Sequence, residues 1–242
     1  MKRIAAWLLM LTMIVSLSAC SGTLAQDTQS VGGTSGTTTE PDASPSTPAG
    51  SDTTTANTSE PAEDEVGGSK ILVAVFSLSG EMYEVGVIEE GNTAIIADMI
   101  VEQTGADLFR IENVTPYSDT YDDLLEISRQ EEAADTRPEI AGTVENMENY
   151  DVVVLGYPIW WGDMPMIVYG FLESYDFSGK TIVPFCTHGG SGLSNTPRHI
   201  ADTCPDATVA DGLAIRGKTA QEQRDEAREA VTDWLREGGF IE

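Results

Sequence analysis

The sequence predicts an α/β domain with helices on both faces of a five-stranded parallel sheet. Short apolar runs alternate along the chain with segments of helical periodicity, which is typical of a doubly wound, three-layer fold. The runs are continuously apolar rather than alternating, which indicates strands that are buried on both faces. The five strands are expected at residues 71–76, 108–111, 152–157, 181–186 and 208–215.

Helical segments follow these strands in order. The first helix is expected over residues 92–104, because it carries an apolar face and is followed by Gly105, a residue that favours the left-handed end of a helix. The last helix, residues 220–236, places its large apolar side chains on one stripe, made up of Ala227, Val231, Trp234 and Leu235. Three further helices are expected near residues 120–134, 165–174 and 195–204.

Small hydroxyl and amide residues lie between the first strand and the first helix. Ser77 and Ser79 follow the strand, and Asn92 and Thr93 begin the helix. A helix N-terminus carries about half a positive charge and free N–H groups, so this pattern is typical of a phosphate site that needs no lysine. The alternative interpretation is that these side chains only cap the helix.

Three segments resemble the flavin-binding loops of flavodoxins. Without residues 80–90, the first loop reads Phe-Ser-Leu-Ser-Gly-Asn-Thr, which resembles the FMN-phosphate loop of that family. Residues 155–162 and 185–192 follow the third and fourth strands, where flavodoxin-like proteins wrap the isoalloxazine ring. The resemblance covers about residues 70–242 and implies the strand order 2-1-3-4-5, with FMN at the carboxyl ends of strands one, three and four.

The resemblance assigns cofactor-binding roles to three groups of residues. The residues assigned to the FMN phosphate are Ser77, Ser79, Asn92 and Thr93. Those assigned to the ring after the third strand are Pro158, Ile159, Trp160, Trp161 and Gly162. The third set, after the fourth strand, consists of Thr187, His188, Gly189 and Gly190. Two adjacent tryptophans cannot both point inward from a strand end, so at least one is expected to contact the ring. The peptide between Gly162 and Asp163 would lie near the flavin N5, by resemblance, where glycine lets the backbone reorient.

Two histidines and one insertion leave alternatives open. His188 is either a proton donor or a turn residue, while His199 is interpreted as a surface or capping residue. The insertion, residues 80–90, departs from the flavodoxin pattern and separates the two halves of the phosphate loop. Its apolar residues, among them Tyr83 and Val87, indicate a flap over the flavin or a partner contact, or else a cover for the edge of the sheet.

The first 69 residues differ in composition from the rest. Residues 1–19 read as a lipoprotein signal peptide, because a basic start and a short apolar stretch precede Leu17-Ser18-Ala19-Cys20, which resembles a lipobox. Cys20 is therefore the expected site of lipidation, with an ordinary secretory signal as the alternative. Residues 20–69 are rich in Ser, Thr, Pro and acidic residues and read as a disordered linker to the domain at residues 70–242. The lipid anchor would place the protein on a membrane outside the cytoplasm.

The net charge of −27 limits the partners. Nucleic acid is not expected as a partner on this ground, and the acidic surface suits docking to a redox protein with a basic surface, with solubility as the alternative reason for most of the charge. No spacing of histidines and carboxylates indicates a metal. Cys186 and Cys204 are expected to be small core residues, with a disulfide between them as the alternative.

The function expected from these features is electron transfer by an FMN-binding flavoprotein tethered to a membrane. Two alternatives remain at this stage: an FMN-dependent quinone or small-molecule reductase, and a binding module without redox activity on the same fold. All three readings share the fold and differ in whether flavin is bound and in what exchanges electrons with it.

Overall fold

The structure is a computed structural model and describes residues 70–242. Its main sheet is parallel, in the order β4-β1-β5-β6-β7, and β8 pairs with β6 beside β7. The strands are β1 (Ile71–Val75), β4 (Asp107–Arg110), β5 (Val152–Pro158), β6 (Thr181–His188), β7 (Thr208–Val209) and β8 (Leu213–Arg216), while β2 (Gly80–Met82) and β3 (Gly86–Ile88) form a separate antiparallel hairpin. The predicted α/β fold and strand order are confirmed.

The fifth predicted strand is interrupted. β7 pairs with the start of β6, at Thr181 and Ile182, and β8 pairs with its end, from Phe185 to His188. The same pairing extends β6 beyond its predicted end at residue 186. Thr187 and His188, which lie beyond the predicted end of that strand, are therefore part of a paired strand.

Six α-helices cover the sheet within residues 70–242. They are α1 (Asn92–Thr104), α2 (Tyr121–Ala134), α3 (Met166–Glu173), α4 (Thr196–Thr203), α5 (Gly217–Glu222) and α6 (Arg224–Glu237), and a short 3₁₀ helix spans Met147–Asn149. α1 ends as predicted, with Gly105 in the left-handed region at φ 67°. The predicted last helix is divided at Gln223, whose φ of −133° leaves the helical region, so that α5 follows β8 and α6 packs along α1.

The two faces of the sheet carry two separate hydrophobic cores. Along β1, Leu72, Ala74 and Phe76 pack into the core under α3 and α4, whereas Val73 and Val75 pack into the core under α1 and α6. This alternation between two buried faces explains why the strands read as continuous apolar runs. Cys186 and Cys204 are free and buried in the first core, so the disulfide alternative is wrong.

In the part of the chain that the structure describes, no helix combines the length and the apolar character that crossing a bilayer requires. The predicted signal peptide, Cys20 and the linker lie outside the described residues.

Candidate functional site

A cleft lies at the carboxyl ends of β5 and β6, beside the start of α1. Eight of the predicted cofactor residues line it: Asn92, Pro158, Ile159, Trp160, Trp161, Thr187, His188 and Gly189. The hairpin brings Tyr83 to its walls, one of the insertion residues for which a flap was an interpretation. The hairpin and α2 complete the walls with residues that had no expected role: Met82, Glu84, Tyr121, Leu124, Leu125 and Ser128. The cleft is thus largely apolar along one part and polar where it meets α1.

The insertion does not separate the two halves of the predicted phosphate loop. Gly80 and Ile88 are paired at the base of the hairpin, so the chain leaves and returns at one place. Gly91 then packs so tightly against the first half that an added Cβ would lie 2.2 Å from Ser77 Oγ. Ser77 Oγ accepts a hydrogen bond from the Ala94 N–H at 3.0 Å, which joins the two halves.

Thr93 does not offer its side chain to a ligand. It is buried, with 1% of its surface exposed, and its hydroxyl lies 2.7 Å from the hydroxyl of Thr187 on β6. This correction follows from the helix geometry, because Thr93 sits on the side of α1 that faces the sheet. Its backbone N–H, like that of Asn92, has no acceptor within the helix and stays available at the N-terminus.

Asn92 carries an unsatisfied acceptor. Its Oδ1 is buried and lacks a hydrogen-bond partner among the described residues. On its other side, the amide lies against Gly217, where an added Cβ would approach Nδ2 to 2.5 Å. A buried acceptor without a donor is costly, so this position favours a ligand that brings a hydroxyl or N–H group.

The two adjacent tryptophans have different environments. Trp160 packs edge-on against Phe76 and Tyr117 at the margin of the core, with ring centroids 5.5 and 5.7 Å apart. Trp161 is 46% exposed, donates from Nε1 to Ser128 Oγ at 3.0 Å, and has the Arg129 guanidinium 4.1 Å from its ring centre. Trp161 is therefore the indole that is held in place yet accessible.

The tryptophans belong to a tight turn. Trp160 and Asp163 exchange two backbone hydrogen bonds of 2.8 Å, and the residues between them, Trp161 and Gly162, have positive φ values of 54° and 85°. Positive φ at both central positions is the pattern of a type I′ hairpin turn. Because the Asp163 N–H is bonded within the turn, the Gly162 carbonyl is the part of the Gly162–Asp163 peptide that remains for a ligand.

His188 stabilises its own loop. Its Nδ1 accepts a hydrogen bond from the Gly190 N–H at 2.8 Å, which requires an unprotonated nitrogen. Burial, followed by the charge of Arg216, lowers the pKa of His188 below its ordinary value. Both observations favour a neutral side chain, which lies at the end of β6 and stabilises the turn that follows, over a proton-donating imidazolium, the alternative that the sequence left open.

The hairpin reaches the rim of the cleft. The Arg216 guanidinium, at the end of β8, binds Glu84 Oε2 at 3.1 Å and the Gly189 carbonyl at 2.9 Å. The Tyr83 ring packs against Gly189 and stacks with Tyr121 at a centroid distance of 6.3 Å. Of the interpretations given to the insertion, the structure thus favours a flap beside the cleft.

Comparison with known proteins identifies the fold family. A family model described as flavodoxin matches residues 70–236. The chain belongs to the flavodoxin family.

Solved structures that are similar to this chain include proteins described as flavoproteins. A candidate flavoprotein from Bacteroides eggerthii is 34% identical (TM-score 0.53; 66% of this chain and 98% of that one), and another from Bacteroides uniformis is 29% identical (TM-score 0.57; 70% and 99%). A flavoprotein from Lactobacillus acidophilus, solved in complex with FMN, is 20% identical (TM-score 0.49; 64% and 98%). Among curated proteins, none matches this chain.

Several predicted cofactor residues do not line the cleft, and α2 supplies lining residues that were not expected from the sequence. Ser77, Ser79 and Gly91 line a neighbouring hollow at the end of β1, while Gly162 and Gly190 do not line the cleft. The helix α2 contributes an apolar wall to the cleft. The sequence feature that could have indicated this wall is the apolar pattern near residue 124. Within residues 70–242, no group of three or more His, Cys, Asp and Glu side chains is close enough to hold a metal ion.

Proposed function

We propose that this member of the flavodoxin family binds FMN in the cleft and transfers electrons between other redox proteins. One arrangement carries the proposal: the N-terminus of α1 opens beside a cleft whose far part is apolar and aromatic. FMN has the same order of chemical groups, with an anionic phosphate at one end and a flat apolar ring system at the other. The ribityl hydroxyls between them would supply the donor that the buried Asn92 Oδ1 lacks among residues 70–242.

The residues present fit the three parts of FMN. The free N–H groups of Asn92 and Thr93 would hold the phosphate together with the hydroxyl of Ser77, which lines the hollow beside the cleft, since a hydroxyl that accepts one hydrogen bond can still donate another. Asn92 Oδ1 would accept from the ribityl chain. Trp161 and Tyr83 line the part of the cleft suited to the ring.

Bound FMN would supply reversible one- and two-electron transfer, and the chain would determine how readily it accepts electrons. An aromatic face such as that of Trp161 excludes water and disfavours added negative charge on a stacked ring. Arg129 and Arg216 are cations near the rim and act in the opposite direction. The balance of these side chains sets the reduction potentials.

The visible absorption spectrum of the purified protein tests this proposal. We expect a flavin spectrum, and we expect FMN rather than riboflavin or FAD among the molecules released by denaturation. A protein that is colourless and does not take up added FMN would contradict the proposal. It would favour the alternative function expected from the sequence, a binding module without redox activity.

A second candidate function is reduction of a quinone or another flat small molecule. The Tyr83–Tyr121 pair, together with Leu124 and Leu125, gives the cleft an apolar wall on the α2 side, where a flat acceptor could bind. Steady turnover of NADH or NADPH with quinones would favour this reductase. Rapid electron exchange only with protein partners would favour the carrier.

The location is proposed from the sequence. Lipidation of Cys20 would anchor the protein outside the cytoplasm, with residues 20–69 as the linker to the domain. Two basic and eight acidic residues precede residue 70, whereas eleven basic and thirty-two acidic residues follow from there on. The domain itself is therefore strongly acidic, which supports docking to a basic redox partner.

A further inference from the structure

The hairpin of β2 and β3 is fixed at its base. The Glu81 N–H donates to the Asp119 carbonyl at 2.8 Å, and Ile88, at the end of β3, is buried. The hairpin nevertheless forms a sheet of its own, with no pairing to the main sheet within residues 70–242. An isolated pair of strands is only marginally stable by itself, so the position of its tip, residues 82–86, depends on the contacts that the tip makes.

Tyr83, in this tip, spans the cleft from one wall to the other. Its ring stacks with that of Tyr121 on α2, at a centroid distance of 6.3 Å and an angle of 28° between the ring planes. On the β6 side the same ring covers Gly189 so closely that an added Cβ would lie 2.8 Å from it. Tyr83 is still 60% exposed, so much of its surface remains in contact with solvent. The side chain therefore lies as a cover between two walls of the cleft.

An ion pair joins the tip to the rim of the cleft. Glu84, next to Tyr83, meets the Arg216 guanidinium at 3.1 Å, and the same guanidinium donates to the Gly189 carbonyl at 2.9 Å. The side chains of Glu84 and Arg216 are 33% and 51% exposed, and pairs that are this exposed contribute little to stability. The contact therefore holds the tip in place without preventing it from opening.

We propose that the hairpin tip is a lid on the cleft and that the Glu84–Arg216 pair is its latch, so that a ligand enters and leaves only when the tip opens. The gating of FMN rests on the proposed function, whereas the latch does not. Loss of the latch increases the open fraction of the free and of the occupied protein alike. Entry and exit then accelerate by the same factor, and the affinity stays nearly constant.

The first test follows the lid by NMR in the full-length protein without flavin. The stacked Tyr83 ring shifts the proton signals of the Tyr121 ring, and Tyr83→Leu gives the signals of a cleft without its cover. We expect Glu84→Gln and Arg216→Gln to move the Tyr121 signals part of the way toward those of Tyr83→Leu. Tyr121 signals that respond to neither latch variant would overturn the latch.

Glu102 and Arg228 provide the matched controls. They form an ion pair of 2.7 Å between α1 and α6, their side chains are also about half-exposed, and neither lines the cleft. Glu102→Gln and Arg228→Gln change the net charge as the two latch variants do. We expect them to leave the Tyr121 signals and the ligand rates unchanged. Effects as large as those of the latch variants would refute a specific role for the Glu84–Arg216 pair.

The second test measures the association and dissociation rate constants of FMN by stopped-flow fluorescence. We expect Glu84→Gln and Arg216→Gln each to raise both constants by about two- to fivefold, with a change in Kd of less than about twofold. The two variants change the charge beside the cleft in opposite directions. A purely electrostatic effect on the anionic ligand would therefore move their association rates in opposite directions.

Two results of this test would refute the lid: association rates that change in opposite directions, and a rise confined to dissociation, which would indicate a lost contact with the ligand. Wild-type protein that takes up no FMN would refute the proposed function, while the NMR test would still decide the role of the latch.

Discussion

Trp160 and Trp161 are identical side chains with different environments. Trp161 is accessible and fixed by Ser128 and Arg129, so we expect Trp161→Ala to weaken FMN binding by about 1 kcal/mol, or roughly fivefold in Kd. The same change should relieve fluorescence quenching of the flavin and raise the potential for the second electron. Fluorescence titration and redox titration measure these effects.

Trp160→Leu is the matched control. Because Trp160 packs against Phe76 and Tyr117, its replacement should lower the free energy of unfolding by roughly 2 kcal/mol. Flavin quenching that depends on Trp160 and not on Trp161 would show that the ring lies elsewhere.

Substitutions at Asn92 and Ser77 distinguish the contacts to the ribityl chain of the proposed ligand from those to its phosphate. If Asn92 Oδ1 accepts from a ribityl hydroxyl, Asn92→Ala should weaken FMN and riboflavin equally, by about 1 kcal/mol. Ser77→Ala should weaken FMN more than riboflavin, because only FMN has the phosphate. Calorimetric titration with both ligands distinguishes them, and a loss confined to FMN in Asn92→Ala would instead place the phosphate at Asn92.

The lowered pKa of His188 predicts that the stability of the folded protein depends on pH. Its pKa is lower in the folded protein than the ordinary 6.5, so in the window just below 6.5 the unfolded chain binds more protons than the folded one. Stability should therefore fall as the pH drops through this window. Thermal unfolding at pH 7 and pH 5 should show a larger fall in Tm for wild type than for His188→Gln, which keeps an acceptor for the Gly190 N–H. Equal falls would show that His188 does not contribute.

At the scale of elements, the two halves of the phosphate loop meet through Gly91. An alanine Cβ there would lie 2.2 Å from Ser77 Oγ and 2.4 Å from the Leu78 carbonyl oxygen. We expect Gly91→Ala to push the halves apart, to cost about 1 to 3 kcal/mol of unfolding free energy, and to abolish the preference for FMN over riboflavin. Chemical denaturation and ligand titration measure the two effects.

Gly170→Ala is the control for this substitution. In α3 the new methyl group would find its nearest neighbour, Arg137 Cβ, at 3.6 Å, and alanine suits a helix interior better than glycine by about 0.5 to 1 kcal/mol. We therefore expect a slight gain in stability and unchanged flavin binding. A Gly91→Ala protein as stable and as selective as wild type would mean that the loop does not hold the phosphate.

At the scale of the whole molecule, the proposed anchor depends on Cys20. The apolar stretch ends at a small-residue cleavage pattern directly before it, so Cys20→Ala should move the protein from the membrane fraction to the soluble fraction. Fractionation with mass spectrometry of the mature N-terminus gives the answer. A variant that stays with the membrane, and a wild-type N-terminus without lipid, would refute the anchor.

The sequence alone determined the order of the fold and the location of the cleft. The first four continuous apolar strands and the Gly105 helix end are local patterns, and they were found where they were expected. Where the structure differs from the expectation, the reason is a contact that a local pattern does not contain. The β8 pairing that extends β6 to His188 depends on neighbours distant in the chain.

Only the tertiary structure decided which side chains are available within that cleft. Thr93 and Asn92 are adjacent in sequence, but the rotation of α1 buries the Thr93 hydroxyl against Thr187 and leaves the Asn92 side chain with an oxygen that has no partner within the described domain. The contact of His199 with Asp163 and that of Glu84 with Arg216 join residues far apart in the chain. No local periodicity encodes such pairs, because they form only when loops from different strands meet at one edge of the sheet.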